Sequence, residues 1–137
     1  MDRRRRINKL FSMKKPLILF LLLAVIVSCK TVTEGEIEVV SQEEMQTYLN
    51  MEDVQLIDVR TPEEYDAGHI ATAQNINFLS PTFENDIQQL DKNKPVLVYC
   101  HMGGRSAKCA EKMKSLGFVK IYDFKGGYSK WLSQEEK

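Results

Sequence analysis

The middle of the chain, residues 95–106, reads Pro-Val-Leu-Val-Tyr-Cys-His-Met-Gly-Gly-Arg-Ser. Its first part, Val96–Tyr99, predicts a buried strand, because a short and mostly apolar run after a turn is typical of a parallel sheet that is covered on both faces. Such a strand delivers Cys100 to its carboxyl end, where open α/β sheets bind their ligands. We therefore expect the chemistry of this chain to lie in the loop that follows.

The loop has the residue types of an anion site. Gly103 and Gly104 let the backbone curl and present successive N–H groups inward, because neither carries a Cβ atom. The helix predicted to follow adds unpaired N–H groups and the positive end of its dipole, and Arg105 adds a planar fork suited to oxyanions. We expect these groups to hold the pKa of Cys100 below the free value of about 8.5. The pattern indicates a cysteine nucleophile; a buried structural cysteine beside a glycine-rich turn is the alternative.

Short strands and helices alternate on both sides of this loop. Strands are predicted at Ile37–Val40, Val54–Asp58, Ala73–Ile76, Pro95–Tyr99 and Val119–Tyr122. Helices are predicted from Ser41 to Leu49, Thr61 to Gly68, Ser80 to Leu90 and Arg105 to Leu116, and a final helix that carries Trp131 is predicted after Gly126-Gly127. The first two helices begin with capping boxes, in which a Ser or Thr is followed three residues later by Glu. The alternation predicts an α/β domain with a mainly parallel sheet.

Charge separates the N-terminal residues from the rest. The whole chain has 19 Lys and Arg and 19 Asp and Glu, but residues 1–28 hold seven of the basic residues and one acidic residue. The remainder is therefore acidic and has no basic stripe, which argues against nucleic acid as a partner. The three cysteines include no CxxC pair, which argues against a disulfide framework and against a zinc site.

The N-terminal segment has the parts of a secretory signal peptide. Two lysines precede the 11-residue apolar run Leu17–Val27, which is followed by Ser28-Cys29. The run is shorter than the roughly 20 residues that a membrane-spanning helix needs. Ile26–Cys29 resembles the lipobox of bacterial lipoproteins, which implies that Cys29 is lipidated and becomes the mature N-terminus. An ordinary signal peptide with a coincidental cysteine is the alternative.

These features divide the chain into three parts. Residues 1–28 are predicted to be a signal peptide whose translation starts at Met1 or at Met13. Residues 29–36 are predicted to be the lipidated Cys29 with a short polar tether, and residues 37–137 a single domain. We expect a bacterial membrane lipoprotein that faces the periplasm or the cell exterior.

Five blocks of the predicted domain resemble the rhodanese, or sulfurtransferase homology, family over roughly Glu38 to Trp131. In chain order the blocks are Leu56–Arg60; Glu63–Tyr65 with Gly68–Ile70 and Ala73–Ile76; Cys100-x-x-Gly103-x-Arg105-Ser106; Gly117-Phe118; and Gly126–Tyr128 with Trp131. The resemblance implies a rhodanese-like α/β domain of three layers, with a central five-stranded, mainly parallel sheet and helices on both faces.

The resemblance also implies the reaction. Cys100 would accept a sulfane sulfur from thiosulfate, polysulfide or another persulfide, carry it as a persulfide, and pass it to a thiophilic acceptor. The main-chain N–H groups of residues 102–105 are expected to hold the terminal sulfur anion, and Arg105 to orient an anionic donor. The expected substrate site comprises His101, Met102, Gly103, Gly104 and Ser106. No cofactor and no metal is implied.

Other polar residues near these blocks receive structural interpretations. Asp58 and Arg60 are expected to form a polar brace beside the loop, and His69 to stabilise a turn. Cys109 lies at helical spacing from Met113 and Leu116, so we expect it in the core rather than acting as a resolving thiol.

Two other functions fit parts of the pattern. Related phosphatases and arsenate reductases typically hold one residue more between Cys and Arg than the four of His101–Gly104, so loop length favours sulfur over phosphate. A non-catalytic rhodanese-like module that binds a protein partner usually lacks the cysteine, which is present here. The expected partners are a small sulfur-anion donor, a thiol acceptor that is a small molecule or a protein, and a membrane through the lipid on Cys29.

Overall fold

Strands and helices alternate strictly along residues 35–135, which are the residues that the computed structural model describes. The strands are β1 (Glu36–Val40), β2 (Gln55–Asp58), β3 (Gln74–Asn75), β4 (Val96–Tyr99) and β5 (Lys120–Phe124). The helices are α1 (Gln42–Leu49), α2 (Pro62–Asp66), α3 (Phe83–Ile87), α4 (Gly104–Ser115) and α5 (Gly127–Glu135).

The five strands form one sheet in the order β1-β5-β4-β2-β3, and each pair in it is parallel. The strand β4 lies in the middle, and all four of its residues are fully buried. A strand that is covered on both faces needs apolar side chains on both, which explains the unbroken Val-Leu-Val-Tyr run. The predicted α/β fold with a five-stranded sheet is confirmed.

The sheet separates two hydrophobic clusters, because successive side chains of a strand point to opposite faces. Val96 and Val98 pack in one cluster with side chains of α3 and α4. Leu97 and Tyr99 pack in the other with side chains of α1, α2 and α5. Helices therefore cover both faces of the sheet, and the three predicted layers are confirmed.

Both predicted capping boxes are present. The N–H of Glu44 donates to Ser41 Oγ at 3.2 Å, and the N–H of Ser41 donates to Glu44 Oε2 at 2.7 Å. Thr61 and Glu64 make the same reciprocal pair at the start of α2, with Pro62 at the first helical position. Each cap stabilises its helix by about 1 kcal/mol, and the second one leads directly to the candidate site.

The helix α3 is shorter than the sequence predicts. It begins at Phe83 rather than at Ser80, because the N–H of Thr82 donates to Ser80 Oγ at 3.1 Å and forms a turn instead. It ends at Ile87, so Leu90 lies beyond the helix, although its side chain still packs against the core.

The strand β5 continues two residues past the predicted end at Tyr122. Asp123 pairs on both sides, in register with Val39 of β1 and with Val98 of β4, and Phe124 is in register with Val40 of β1. A carboxyl group in an otherwise apolar run hides this continuation in the sequence. The same carboxyl group lies close to the candidate site.

The N-terminal predictions fall mainly outside the described residues. The signal peptide, Cys29 and the tether up to residue 34 lie there, and β1 begins at Glu36, one residue before the predicted domain. Within residues 35–135, no helix is both long and apolar enough to pass through a membrane.

Candidate active site

The loop between β4 and α4 wraps around the sulfur of Cys100. The N–H of Gly103 donates to Cys100 Sγ, with 3.0 Å between nitrogen and sulfur. Gly103 has a φ of +99°, and a Cβ atom there would lie 2.3 Å from the carbonyl oxygen of Lys125. Only glycine fits this position without moving the loop, so the residue type and the direction of the N–H group are linked.

The turn before α5 holds the loop from a second side. The N–H of Tyr128 donates to the Cys100 carbonyl at 2.8 Å, and the N–H of Ser129 donates to the His101 carbonyl at 3.1 Å. A Cβ atom on Gly127, whose φ is +62°, would lie 2.5 Å from that second carbonyl oxygen. The Gly126-Gly127 pair is the sequence signal for this contact, but its role in holding the cysteine loop was not predicted.

Hydrogen bonds favour the ionised form of Cys100. Burial of the thiol raises its pKa, but the N–H groups of Ser106, Gly103 and Met102 and the hydroxyl of Ser106 outweigh burial, and the pKa lies below its usual value. The Ser106 hydroxyl lies 3.8 Å from Cys100 Sγ and donates to the Gly103 carbonyl at 3.2 Å. Ser106 was predicted to lie in the substrate site, but its contribution to stabilising the sulfur was not predicted.

Arg105 points its guanidinium at a carboxylate of α2. Its Nη1 and Nη2 atoms lie 2.6 and 2.7 Å from the two carboxylate oxygens of Glu64. This bidentate pair, with help from the cap on Thr61, lowers the pKa of Glu64 to about 2 against burial, which raises it. Glu64 was not predicted as a site residue. The orientation of an anionic donor by Arg105 stays a prediction, because Glu64 takes both terminal nitrogens in this structure.

Asp58 and Arg60 form a buried ion pair below the loop. Arg60 Nη2 lies 2.6 Å from Asp58 Oδ2, and the two side chains are 3% and 0% exposed. The same nitrogen donates to the Gly68 carbonyl at 2.7 Å, and the guanidinium lies 4.2 Å from the centre of the Tyr128 ring. Since Tyr128 also holds the Cys100 carbonyl, the pair connects β2 to the loop through α5.

The remaining predicted residues lie on either side of the loop. His101, Met102 and Gly104 are exposed at its surface, whereas Gly103 and Ser106 are buried. Cys100 itself is only 1% exposed. His69 stacks on the Tyr65 ring with 3.7 Å between ring centres, in agreement with a turn-stabilising role.

Two further buried groups lie near the sulfur. Cys109 of α4 is fully buried, as the core interpretation expects, and burial raises its pKa to about 12. Asp123 is 3% exposed, and its Oδ1 atom has no hydrogen-bond partner. Asp123 was missed in the sequence, where the only signal is one acidic residue between Tyr122 and Phe124. Among residues 35–135, no three His, Cys, Asp or Glu side chains are placed to hold a metal ion.

The site combines a thiol of lowered pKa and main-chain N–H donors around it with a three-layer parallel fold, which is the arrangement that the rhodanese-like class predicts. The family model described as the rhodanese-like domain matches residues 41–134. The chain belongs to this family.

Two relatives match the sequence of this domain, and one of them is named for its activity. The chain is 32% identical over 92 residues to the thiosulfate sulfurtransferase GlpE of Tolumonas auensis, covering 67% of this chain and 85% of that protein. It is 39% identical over 77 residues to the protein YqhL of Bacillus subtilis, covering 56% of this chain and 60% of the relative, less than two thirds of it.

Solved structures give the same result. The human single-domain sulfurtransferase TSTD1 superposes with a TM-score of 0.60 at 27% identity, covering 70% of this chain and 96% of that one. A rhodanese-like domain protein from Staphylococcus aureus superposes with a TM-score of 0.61 at 29% identity, covering 69% and 90%. These similarities support the sulfurtransferase family for this chain.

Proposed function

We propose that this protein is a rhodanese-type sulfurtransferase that carries sulfane sulfur on Cys100. The observation that carries the proposal is the 3.0 Å contact from the Gly103 N–H to Cys100 Sγ. A structural thiol in an apolar core has no need of such a donor. A nucleophile does, because the donor stabilises the thiolate that attacks and the sulfur anion that results.

The proposed reaction consists of two displacements at sulfur. The Cys100 thiolate attacks the outer sulfur of a donor such as thiosulfate, the donor's S–S bond breaks, and sulfite leaves with the electron pair. The loop N–H groups then surround the negatively charged outer sulfur of the Cys100 persulfide. An acceptor thiolate attacks that outer sulfur, the persulfide S–S bond breaks, and Cys100 leaves as the thiolate.

The relatives support the same class of reaction. GlpE is a thiosulfate sulfurtransferase of which the alignment covers 85%, and TSTD1 is a single-domain sulfurtransferase of which 96% is covered. We propose thiosulfate, polysulfide or a persulfide as the donor, and a small or protein thiol as the acceptor. The exposed His101 and Met102 are the residues that an incoming donor would meet first.

We also propose that the reaction takes place outside the cytoplasm at a bacterial membrane. The basic start, the apolar run Leu17–Val27 and the lipobox-like Ile26–Cys29 support this location. The mass of the N-terminal peptide of protein extracted from cells tests it. A peptide that begins at lipidated Cys29 is expected, and an unprocessed chain with a free Cys29 thiol would contradict the location.

The test of activity is intact mass spectrometry of the full-length protein in detergent after incubation with thiosulfate or polysulfide. A gain of one sulfur atom is expected in the wild type and in Cys109→Ala, and no gain in Cys100→Ser. Thiocyanate release from thiosulfate and cyanide should follow the same order.

A non-catalytic binding module is the second candidate, and one observation favours it. Cys100 is only 1% exposed, so a donor reaches the sulfur only by entering between the loop residues. Failure of every sulfur donor to add mass to Cys100 would favour this second function over the first.

A further inference from the structure

The carboxylate of Glu64 binds the guanidinium that would otherwise be free to bind an anionic donor. Arg105 Nη1 and Nη2 lie 2.6 and 2.7 Å from the two Glu64 oxygens, so both terminal nitrogens of the planar fork are used. The side chains of this pair are 25% and 33% exposed. The hydrogen bonds from Arg105 lower the pKa of Glu64 to about 2, so the carboxylate is charged at neutral pH. The charge of Arg105 is therefore balanced before a donor arrives.

A second guanidinium near the loop is balanced in the same way. Arg60 lies 2.6 Å from Asp58, and both side chains are buried. The two ion pairs also interact with each other, because Asp58 attracts Arg105 and Glu64 attracts Arg60. The four side chains form one cluster with two positive and two negative charges. This cluster presents no net charge to an incoming anion.

Sulfane donors differ in the charge that they bring to such a site. Thiosulfate is a dianion at neutral pH, whereas a simple organic persulfide has one negative charge or none. The Cys100 thiolate attracts the Arg105 guanidinium across the loop. A thiosulfate ion beside Arg105 would therefore be repelled by that thiolate and by the Glu64 carboxylate, with one cation to offset both. Charges near a partly buried pair interact more strongly than in bulk water, so a second charge on the donor weakens its binding.

The surface of the loop favours a donor with an organic group. Met102 is 73% exposed there, and its thioether side chain is apolar and adaptable. This side chain can pack against the carbon atoms of an organic persulfide, but it has no hydrogen to donate to the oxygens of thiosulfate. The exposed surface and the balanced charges thus favour the same class of donor.

We propose that Glu64 is a positioning residue that, by holding Arg105, makes the site prefer sulfane donors with at most one negative charge, such as organic persulfides, over dianionic thiosulfate. The inference rests on Cys100 being the nucleophile of the proposed function. The Cys100 thiolate attacks the outer sulfur of a persulfide RSSH, the S–S bond breaks, and RS⁻ leaves with the electron pair. The transferred sulfur then releases its proton to water, and the persulfide anion on Cys100 accepts hydrogen bonds from the loop N–H groups.

Two donors that differ by one charge test this proposal on the full-length protein in detergent. The donors are thiosulfate and benzenethiosulfonate, a stable monoanion that also transfers its outer sulfur. With cyanide as the acceptor, thiocyanate release gives kcat/KM for each donor, which reports only the first displacement. In the wild type we expect a higher kcat/KM for benzenethiosulfonate than for thiosulfate.

Glu64→Gln frees the charge of Arg105 and keeps the capping box, because Gln also serves at that position. It should raise kcat/KM for thiosulfate about tenfold, mainly by lowering KM, because the freed charge strengthens binding of the dianion. It should raise kcat/KM for benzenethiosulfonate about threefold, because the interaction scales with the charge of the donor. The preference for the monoanion should therefore fall.

Three variants separate the charge of Glu64 from its structural role. Glu63→Gln removes the exposed neighbouring carboxylate and should keep the wild-type ratio of the two kcat/KM values. Glu64→Asp retains the negative charge and should keep that ratio as well. The gain for thiosulfate should vanish when Glu64→Gln is combined with Arg105→Gln, because no cation is then freed.

A wild-type preference for thiosulfate, or an equal change for both donors in Glu64→Gln, would overturn the proposal, because a merely structural carboxylate affects both donors alike. A gain for thiosulfate that persists in the double variant would also overturn it. These outcomes leave the proposed function intact, since both donors still transfer sulfur. Absence of thiocyanate with either donor in every variant would instead contradict the proposed function, and this inference with it.

Discussion

Gly103 sets the direction of the donor that faces the sulfur of Cys100. Its left-handed φ of +99° turns the N–H inward, and its lack of a Cβ atom leaves room for the Lys125 carbonyl. Gly104 has the opposite surroundings, since a Cβ atom there would meet nothing within 4 Å. The backbone therefore requires glycine at residue 103, whereas nothing around residue 104 excludes a Cβ atom.

Gly103→Ala should therefore damage the site while Gly104→Ala leaves the fold intact. We expect Gly103→Ala to lose about 1–3 kcal/mol in the free energy of unfolding from backbone strain. It should also slow persulfide formation about 100-fold, because a donor aimed at the sulfur anion moves away. Urea unfolding and mass spectrometry after brief exposure to thiosulfate measure both. Equal stability of the two variants would contradict this account.

The elements α2 and α4 are joined by one carboxylate. Glu64 caps α2 through the Thr61 N–H and holds both terminal nitrogens of Arg105 at the start of α4. The two residues are 41 positions apart. The carboxylate that caps α2 therefore also holds the positive charge of Arg105 in place beside the cysteine loop.

This ion pair predicts how stability changes in acid. The pKa of Glu64 is lowered from 4.5 to about 2 in the folded protein. The contribution of the Glu64–Arg105 ion pair to the free energy of unfolding is therefore complete above pH 4.5, and it is lost as the pH falls from there towards 2. Glu64→Gln keeps the capping box, because Gln also serves at that position, but it removes the ion pair. It should therefore lower Tm at neutral pH. The loss in the free energy of unfolding should be at most about 1 kcal/mol, because solvent screens a partly exposed pair.

The same substitution should flatten the fall of Tm between pH 4.5 and about 3. Glu63→Gln, which changes the exposed neighbouring carboxylate, is the matched control and should retain the wild-type slope. A slope in Glu64→Gln as steep as in the wild type would show that the ion pair does not stabilise the fold.

The turn before α5 offers a second test, which asks whether this turn holds the cysteine loop in place. Gly127 and Gly117 both have positive φ values, +62° and +90°, but only Gly127 would bring a Cβ atom against the cysteine loop. Alanine at either position should cost about 1–2 kcal/mol of stability through backbone strain. Only Gly127→Ala should also slow thiocyanate formation, by about tenfold or more, because a misplaced loop loses a donor. Equal loss of activity in both would exclude a specific role for the turn.

Across the whole molecule, the features that could be predicted are those with local causes. The capping boxes at Ser41 and Thr61 depend on residues three apart, and the buried run Val96–Tyr99 depends on its own composition. These local signals suffice for the alternating α/β order and for placing Cys100 after the central strand.

The features that could not be predicted depend on distant parts of the chain. Asp123 looks like the end of a strand until β1 and β4 are seen on its two sides. The pairing of Arg105 with Glu64 and the contact of Gly127 with the His101 carbonyl each join segments that are far apart in sequence. Local patterns predict the helices, the strands and the cysteine loop. Tertiary packing determines which side chains from distant segments contact that loop.

The burial of Cys109 bears on how long the protein would retain sulfur between its reaction with a donor and its reaction with an acceptor. Within residues 35–135 Cys109 is the second thiol, and burial raises its pKa to about 12. We therefore expect it to stay protonated and not to take the sulfur of the proposed Cys100 persulfide. After removal of excess donor, the persulfide form should hold one added sulfur atom per chain, and added thiol should remove that sulfur in proportion to its amount. Cys109→Ala should lose its sulfur with the same half-life as the wild type. A longer half-life in the variant would show that Cys109 takes sulfur from Cys100.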